Sequence, residues 1–222
     1  FRNDYGDDFH GPPKAEHDTN LGLATSDDGM HWTVAPEPIW KIRTDEERRI
    51  YDPRLTVLEG RCYICFAMDT RHGIRGGVAV TDDLEHFEIL SLSVPDNRNM
   101  VLFPQRIGGR MARLERPFPI YGRGRPEAFD IWYSESPDGR FWGDSRLVLG
   151  SEQVGWCNCK IGPAAPPVRT DAGWLTLFHG VSKDESRPLN TWGEHPWTKT
   201  YGMGLMLLDL DEPWRVIGMA DG

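Results

Sequence analysis

The sequence predicts an all-β protein built from repeated four-stranded sheets, which is the architecture of a β-propeller. Three observations lead there. A turn of one chemistry recurs as Ala24-Thr-Ser-Asp-Asp-Gly-Met-His-Trp32, Ala79-Val-Thr-Asp-Asp-Leu-Glu-His-Phe87 and Ser134-Glu-Ser-Pro-Asp-Gly-Arg-Phe-Trp142. Its Ser or Thr stands at positions 26, 81 and 136, so two successive intervals are 55 residues each. Between the copies lies a second shared pattern of strand, glycine turn and strand, and no segment carries a convincing 3.6-residue apolar period.

In chain order, the first copy of the turn at 24–32 has no first strand before it, so the chain is expected to begin inside a blade. Arg54-Leu-Thr-Val-Leu-Glu-Gly60 then leads into Cys62-Tyr-Ile-Cys-Phe-Ala67, two strands around a glycine turn. The Thr81 turn closes a third strand, and Glu88-Ile-Leu-Ser-Leu92 supplies a fourth. Met100 to Gly109 and Met111 to Leu114 repeat the first pair, followed by the Ser136 turn. Pro166 to Gly173 and Trp174 to Phe178 repeat it again. A looser turn, Leu208-Asp-Leu-Asp-Glu-Pro-Trp214, arrives late, which an insertion around 182–199 explains. Residues 1–222 are therefore expected to form a single propeller domain of about three and a half blades, incomplete at both ends.

Composition narrows the function. The 222 residues carry 34 acidic and 25 basic side chains, a net charge of −9, which is unfavourable for nucleic-acid binding unless the cations cluster. No apolar run approaches the ~20 residues of a membrane helix. The four cysteines, Cys62, Cys65, Cys157 and Cys159, do not form a disulfide framework. Cys62 and Cys65 fall on opposite faces of a strand and share no metal, and Cys157 and Cys159 read as partly buried thiols. A reducing, cytoplasmic location is the expectation.

Propellers collect ligands where the innermost strands converge. The starts of first strands and the ends of second strands are therefore the candidate positions. They contain Arg2, Asn3, Tyr51, Asp52, Asp69, Arg98, Asn99, Arg116, Lys160 and His179. One carboxylate, Asp52, faces a set of cations, and such a cluster in an acidic protein calls for an anionic ligand that Arg grips in bidentate fashion. Asp52 precedes Pro53, which predicts an extended backbone there. A purely structural alternative is that Asp52 braces its turn through Arg54.

Tyr51-Asp-Pro-Arg-Leu-Thr56, Asn97-Arg-Asn-Met-Val-Leu-Phe-Pro104, Leu114-Glu-Arg-Pro117, Lys160-Ile-Gly-Pro-Ala-Ala-Pro-Pro167, Gly173-Trp-Leu-Thr-Leu-Phe-His-Gly-Val181 and Tyr201-Gly-Met-Gly-Leu-Met-Leu-Leu-Asp209 occur in that order. Together they resemble glycoside hydrolase family 130, the β-mannoside phosphorylases and related mannosidases. The resemblance covers nearly the whole chain. It implies a five-bladed propeller and an inverting phosphorylase that cleaves a β-mannoside with inorganic phosphate to give α-mannose 1-phosphate and a free sugar. It implies Asp52 as the catalytic acid, and Arg98, Arg116, Lys160, His179 and Tyr201 around the phosphate. It assigns Arg2, Asn3, Tyr51, Asn99 and Asp69 to sugar binding, with Arg2 and Asn3 at the nonreducing mannose. Lys160 and His179 together favour phosphorolysis over hydrolysis. No cofactor or metal is implied, phosphate being a co-substrate, and the partners are a β-mannoside oligosaccharide and phosphate, with a homo-oligomer left open. A phosphate-independent β-mannosidase and a non-catalytic carbohydrate-binding propeller are the alternatives.

Overall fold

In a computed structural model, the structure describes residues 1–4, 19–42, 44–119, 129–184, 186, 190–192 and 195–220. Among the described residues, all of the regular structure is β apart from one short 3-10 turn at Ser151–Gln153. Strand β1 (Arg2–Asp4) pairs antiparallel with β2 (Thr19–Leu21), and β3 (Ala24–Thr25) pairs with β4 (Thr33–Val34). The first complete sheet runs β5 (Glu47–Leu58), β6 (Arg61–Thr70), β7 (Gly73–Thr81) and β8 (Glu88–Leu92), each strand beside its sequence neighbour. The second repeats this order with β9 (Asn97–Leu102), β10 (Met111–Pro117), β11 (Ile131–Ser136) and β12 (Gly143–Leu149).

The third sheet starts with β13 (Lys160–Pro163), and β14 (Val168–Thr170) continues that edge beside β15 (Gly173–Lys183). A small hairpin of β16 (Asn190–Trp192) and β17 (His195–Trp197) follows. The sheet then resumes with β18 (Lys199–Leu208) and β19 (Val216–Met219). The hairpin is the insertion that delays the fourth turn. Among the described residues no helix is long and apolar enough to cross a membrane.

The sheets stack face to face in chain order, which explains why their strands are apolar on both sides rather than alternating. Leu21 and Trp40 pack on Ile50, Phe66, Met68 and Ala79 of the first sheet. Leu58, Cys65, Val78 and Val80 of the first sheet meet Met100, Leu102 and Met111 of the second. Val101, Leu114 and Tyr133 of the second meet Ile161, Trp174, Phe178 and Leu208 of the third. Here Phe103 lies edge-to-face on Trp174 at 5.1 Å. Each such fully buried side chain contributes about 1.5–3 kcal/mol relative to exposure. Successive four-stranded meanders stacked in this way are compatible with propeller blades. The far face of the third sheet leaves Val168 and Leu175 exposed.

The repeated turn is one structure. Ser26 Oγ accepts the amides of Asp28 and Gly29, Thr81 Oγ1 those of Asp83 and Leu84, and Ser136 Oγ those of Asp138 and Gly139. The Asp of each copy then accepts two further amides, those of Met30 and His31, Glu85 and His86, or Arg140 and Phe141. These amides hold the three carboxyls below the ordinary aspartate range. In the fourth copy Asp209 takes the place of the Ser or Thr and accepts the amides of Asp211 and Glu212. All four cysteines are free; Cys65 is buried, and burial raises its thiol to about 12.

Candidate active site

Two strand irregularities build the centre. On β5, the register passes from Tyr51 opposite Ala67 to Arg54 opposite Cys65, so Asp52 and Pro53 share one partner position. On β9, it passes from Arg98 opposite Arg116 to Val101 opposite Leu114, so Asn99 and Met100 do the same. Each is a β-bulge, which re-aims a side chain locally. Asp52 has φ 55° and Asn99 φ 57°, the left-handed region that Asp and Asn tolerate best among residues with a side chain. The extended backbone expected for Asp52 from Pro53 is thus corrected: the bulge overrides the bias of the residue before proline.

The two equivalent positions meet. Arg98 Nη2 donates to Asp52 Oδ2 at 3.0 Å, and Asn99 Nδ2 approaches the same oxygen at 3.5 Å. Arg54 does not brace Asp52. Its Nε donates to the carbonyl of Ala164, directly after β13, and its Nη1 to the Pro53 carbonyl at 3.0 Å. The structural alternative for Asp52 therefore loses its partner.

Tyr51 and Asp69 are brought together, each using polar atoms on the other. Tyr51 Oη donates to Asp69 Oδ1 at 2.7 Å, and Arg49 Nε donates to Asp69 Oδ2 at 2.7 Å. Burial and the neighbouring Asp69 raise the Tyr51 phenol well above its ordinary value, so it remains a donor. The Arg98 guanidinium lies over the Tyr51 ring at 5.3 Å, which helps aim Arg98 at Asp52.

On β10, in register with Arg98, Arg116 is only 3% exposed. Its guanidinium sits near the rings of Phe129 at 5.3 Å and Phe118 at 5.9 Å, and its Nη1 lies 3.5 Å from His179 Nε2. Arg has no lone pair to offer, so His179 Nε2 accepts and the ring proton resides on Nδ1. Burial, then Arg98, lowers Arg116 to about 10. Burial, then Arg116, Arg54 and Lys160, lowers His179 to about 4, so it is neutral at neutral pH. Burial and the cations Arg116, Lys199 and Arg98 likewise lower Lys160.

Arg98, bonded to Asp52, stands in register with Arg116, Arg116 reaches His179, and Lys160 lies two residues before Gly162, which stands opposite His179. Among the described residues no carboxylate lies within ion-pair distance of Arg116. The Nε atoms of Arg98 and Arg116 and the Oδ1 of Asn99 are buried and have no hydrogen-bond partner there. Buried donors without acceptors are costly unless a ligand supplies them. Gly162 makes the room, since a Cβ there would stand 2.8 Å from His179 Cε1 and 3.3 Å from Arg116 Cδ.

Tyr201 is 53% exposed, with its ring 6.3 Å from that of His179. It stands opposite Val181, which in turn stands opposite Lys160, so three adjacent strands present Lys160 and Tyr201 at one level. Arg2 is exposed on β1 opposite Leu21, beside β5. Asn3 follows it, and its side chain lies outside the described residues. The sequence gives no role to Phe118 or Phe129 beside Arg116; the one available signal is that Phe118 directly follows the Arg-Pro pair.

Comparison with known proteins shows the family. A family model described as beta-1,4-mannooligosaccharide phosphorylase matches residues 12–220. The chain is 34% identical over 206 residues to a beta-1,4-mannooligosaccharide phosphorylase of Ruminococcus albus, covering 88% of this chain and 56% of that protein. It is 30% identical over 199 residues to a beta-1,2-mannobiose phosphorylase of Listeria innocua, covering 89% of this chain and 51% of that protein. The solved complex of the Listeria innocua enzyme with beta-1,2-mannobiose superimposes with a TM-score of 0.76 at 27% identity, over 92% of this chain and 54% of that one. The chain thus spans about half the length of the relatives it matches. With the motifs, the sheets and these matches in agreement, the chain belongs to glycoside hydrolase family 130, the family of the β-mannoside phosphorylases.

Proposed function

We propose that the protein is an inverting phosphorylase that cleaves a β-mannoside with inorganic phosphate, releasing α-mannose 1-phosphate and a free sugar. The observation that carries this reading is the cation cluster around Arg116, buried and facing one carboxylate. Inverting hydrolysis needs an acid and a second carboxylate to activate water. Phosphate is already an anionic nucleophile and needs only a cationic cradle.

In this mechanism Arg116, Lys160 and the Nδ1–H of neutral His179 hold the phosphate, and Tyr201 closes its exposed side. Neutral His179 contributes a directed hydrogen bond rather than a charge. Asp52 in its protonated form supplies the proton for the departing sugar and is left as the carboxylate, which Arg98 and Asn99 hold in place. Arg2, Asn3, Tyr51 and Asp69 line the sugar side, with Asp69 acting through Tyr51. The stacked meanders and the exposed Val168 and Leu175 support a five-bladed ring in which a further sheet covers that face.

Replacing Arg116 or Lys160 by Ala tests the anion site. Loss of a charge-assisted contact costs about 1.5–3 kcal/mol, so the phosphate KM should rise roughly ten- to a hundred-fold while melting temperature changes little. Unchanged phosphate dependence in both variants removes the cluster from the reaction.

A further inference from the structure

The back of the same two strands carries a buried charge network that none of the steps above uses. Glu115 Oε2 accepts from Asn97 Nδ2 at 2.9 Å and from Arg113 Nη2 at 2.8 Å. The Arg113 and Glu115 side chains are 6% and 7% exposed. Arg113 is itself held by Ser134 Oγ, 3.0 Å from its Nε, and by the Trp142 ring, 4.1 Å from its Cζ. Burying an ion pair costs desolvation that its own attraction offsets only in part, so a buried pair is weak ground for a stability role.

Its location points to another role. Glu115 sits on β10 opposite the β9 bulge of Asn99 and Met100, where the regular ladder is interrupted. Asn97 directly precedes Arg98, and Glu115 directly precedes Arg116. Asn97 and Arg98 are still in register with Pro117 and Arg116, so the strap from Asn97 to Glu115 crosses from β9 to β10 at the edge of the interrupted stretch. We propose that Glu115 is a positioning residue: clamped by Arg113, it holds Asn97 and so fixes the bulge that presents Arg98 and Asn99 to Asp52. This rests on the phosphorylase reading only for the reaction that reports it.

The test compares Asn97→Asp, Asn97→Ala and the exchanged pair Asn97→Asp with Glu115→Gln, all in the full chain. Asn97→Asp removes the donor and sets like charges together. In the exchanged pair the new amide on β10 turns its nitrogen to the new carboxylate on β9 and its oxygen to Arg113, with the charge count unchanged. Misplacement of reacting groups by about 1 Å costs up to a hundred-fold. Asn97→Asp should therefore lower kcat about ten- to a hundred-fold and Asn97→Ala less, with phosphate KM within about twofold, and the exchanged pair should recover most of the loss. Should Asn97→Asp not fold, Asn97→Ala and the exchanged pair carry the comparison. Unchanged kcat in the folded single variants overturns the proposal, as does an exchanged pair that regains melting temperature without kcat. The wild type is assayed with and without phosphate first. Turnover independent of phosphate overturns the phosphorylase reading, while the kcat ratios on that turnover still decide the positioning role. A wild type without turnover overturns both.

Discussion

Asp52 and Asn99 occupy a backbone region that costs most side chains about 1–2 kcal/mol, and each lies in a bulge on an inner strand. Such local strain persists only where surrounding structure enforces it. Asp52→Asn retains a side chain suited to that backbone but delivers no proton. It should fold normally and lose about 10²–10⁴-fold in kcat, the usual range for general acid catalysis, with melting temperature and kcat read on one preparation. His179 makes a different prediction. Its folded value of about 4 lies below the ordinary histidine value of 6.5, so the unfolded chain takes up the proton first as pH falls. Stability should decline between about pH 6.5 and about 4, flatten in His179→Gln, and decline less with phosphate bound; a pH series of melting temperatures without this slope would contradict the buried neutral ring. The residue types at this centre were legible because they recur at matching repeat positions. Their pairing was not. Arg98 takes Asp52 and Arg54 takes Ala164 because the bulge redirects Asp52, and a bulge leaves no signature in residue spacing.

At the scale of elements, the turn was the most legible feature. Its chemistry is local: one hydroxyl, one carboxylate and their amides lie within six residues, so identical sequence signals make identical structure. The turns also place a residue at positive φ, Gly29 at 74°, Leu84 at 60° and Gly139 at 78°. A Cβ on Gly29 would meet nothing within 4 Å, whereas on Gly139 it would stand 3.2 Å from Met111 Sδ and 3.3 Å from Leu90 Cδ1. Gly29→Ala should therefore cost about 1 kcal/mol, from the backbone alone, and Gly139→Ala measurably more. Equal losses in denaturant titration would show that the packing at Gly139 contributes nothing. The insertion between β15 and β18 was visible as a delay in the repeat, but its hairpin was not, because the delay constrains only length.

At the scale of the molecule, a chain of net charge −9 collects Arg98, Arg116 and Lys160 around one carboxylate. Sequence alone indicated this concentration, since repeats of one fold bring equivalent positions to one place. It did not reveal how deeply Arg116 is buried. That depth comes from the stacking of the second sheet on the third and from the space that Gly162 leaves. The central claim is that this cradle holds phosphate as the nucleophile. The most direct measurement follows the products from a panel of β-1,2- and β-1,4-mannosides, incubated with the full chain in the presence and absence of inorganic phosphate. The account predicts that α-mannose 1-phosphate appears in step with phosphate consumed and that cleavage stops when phosphate is withheld; free mannose released at the same rate without phosphate would contradict it.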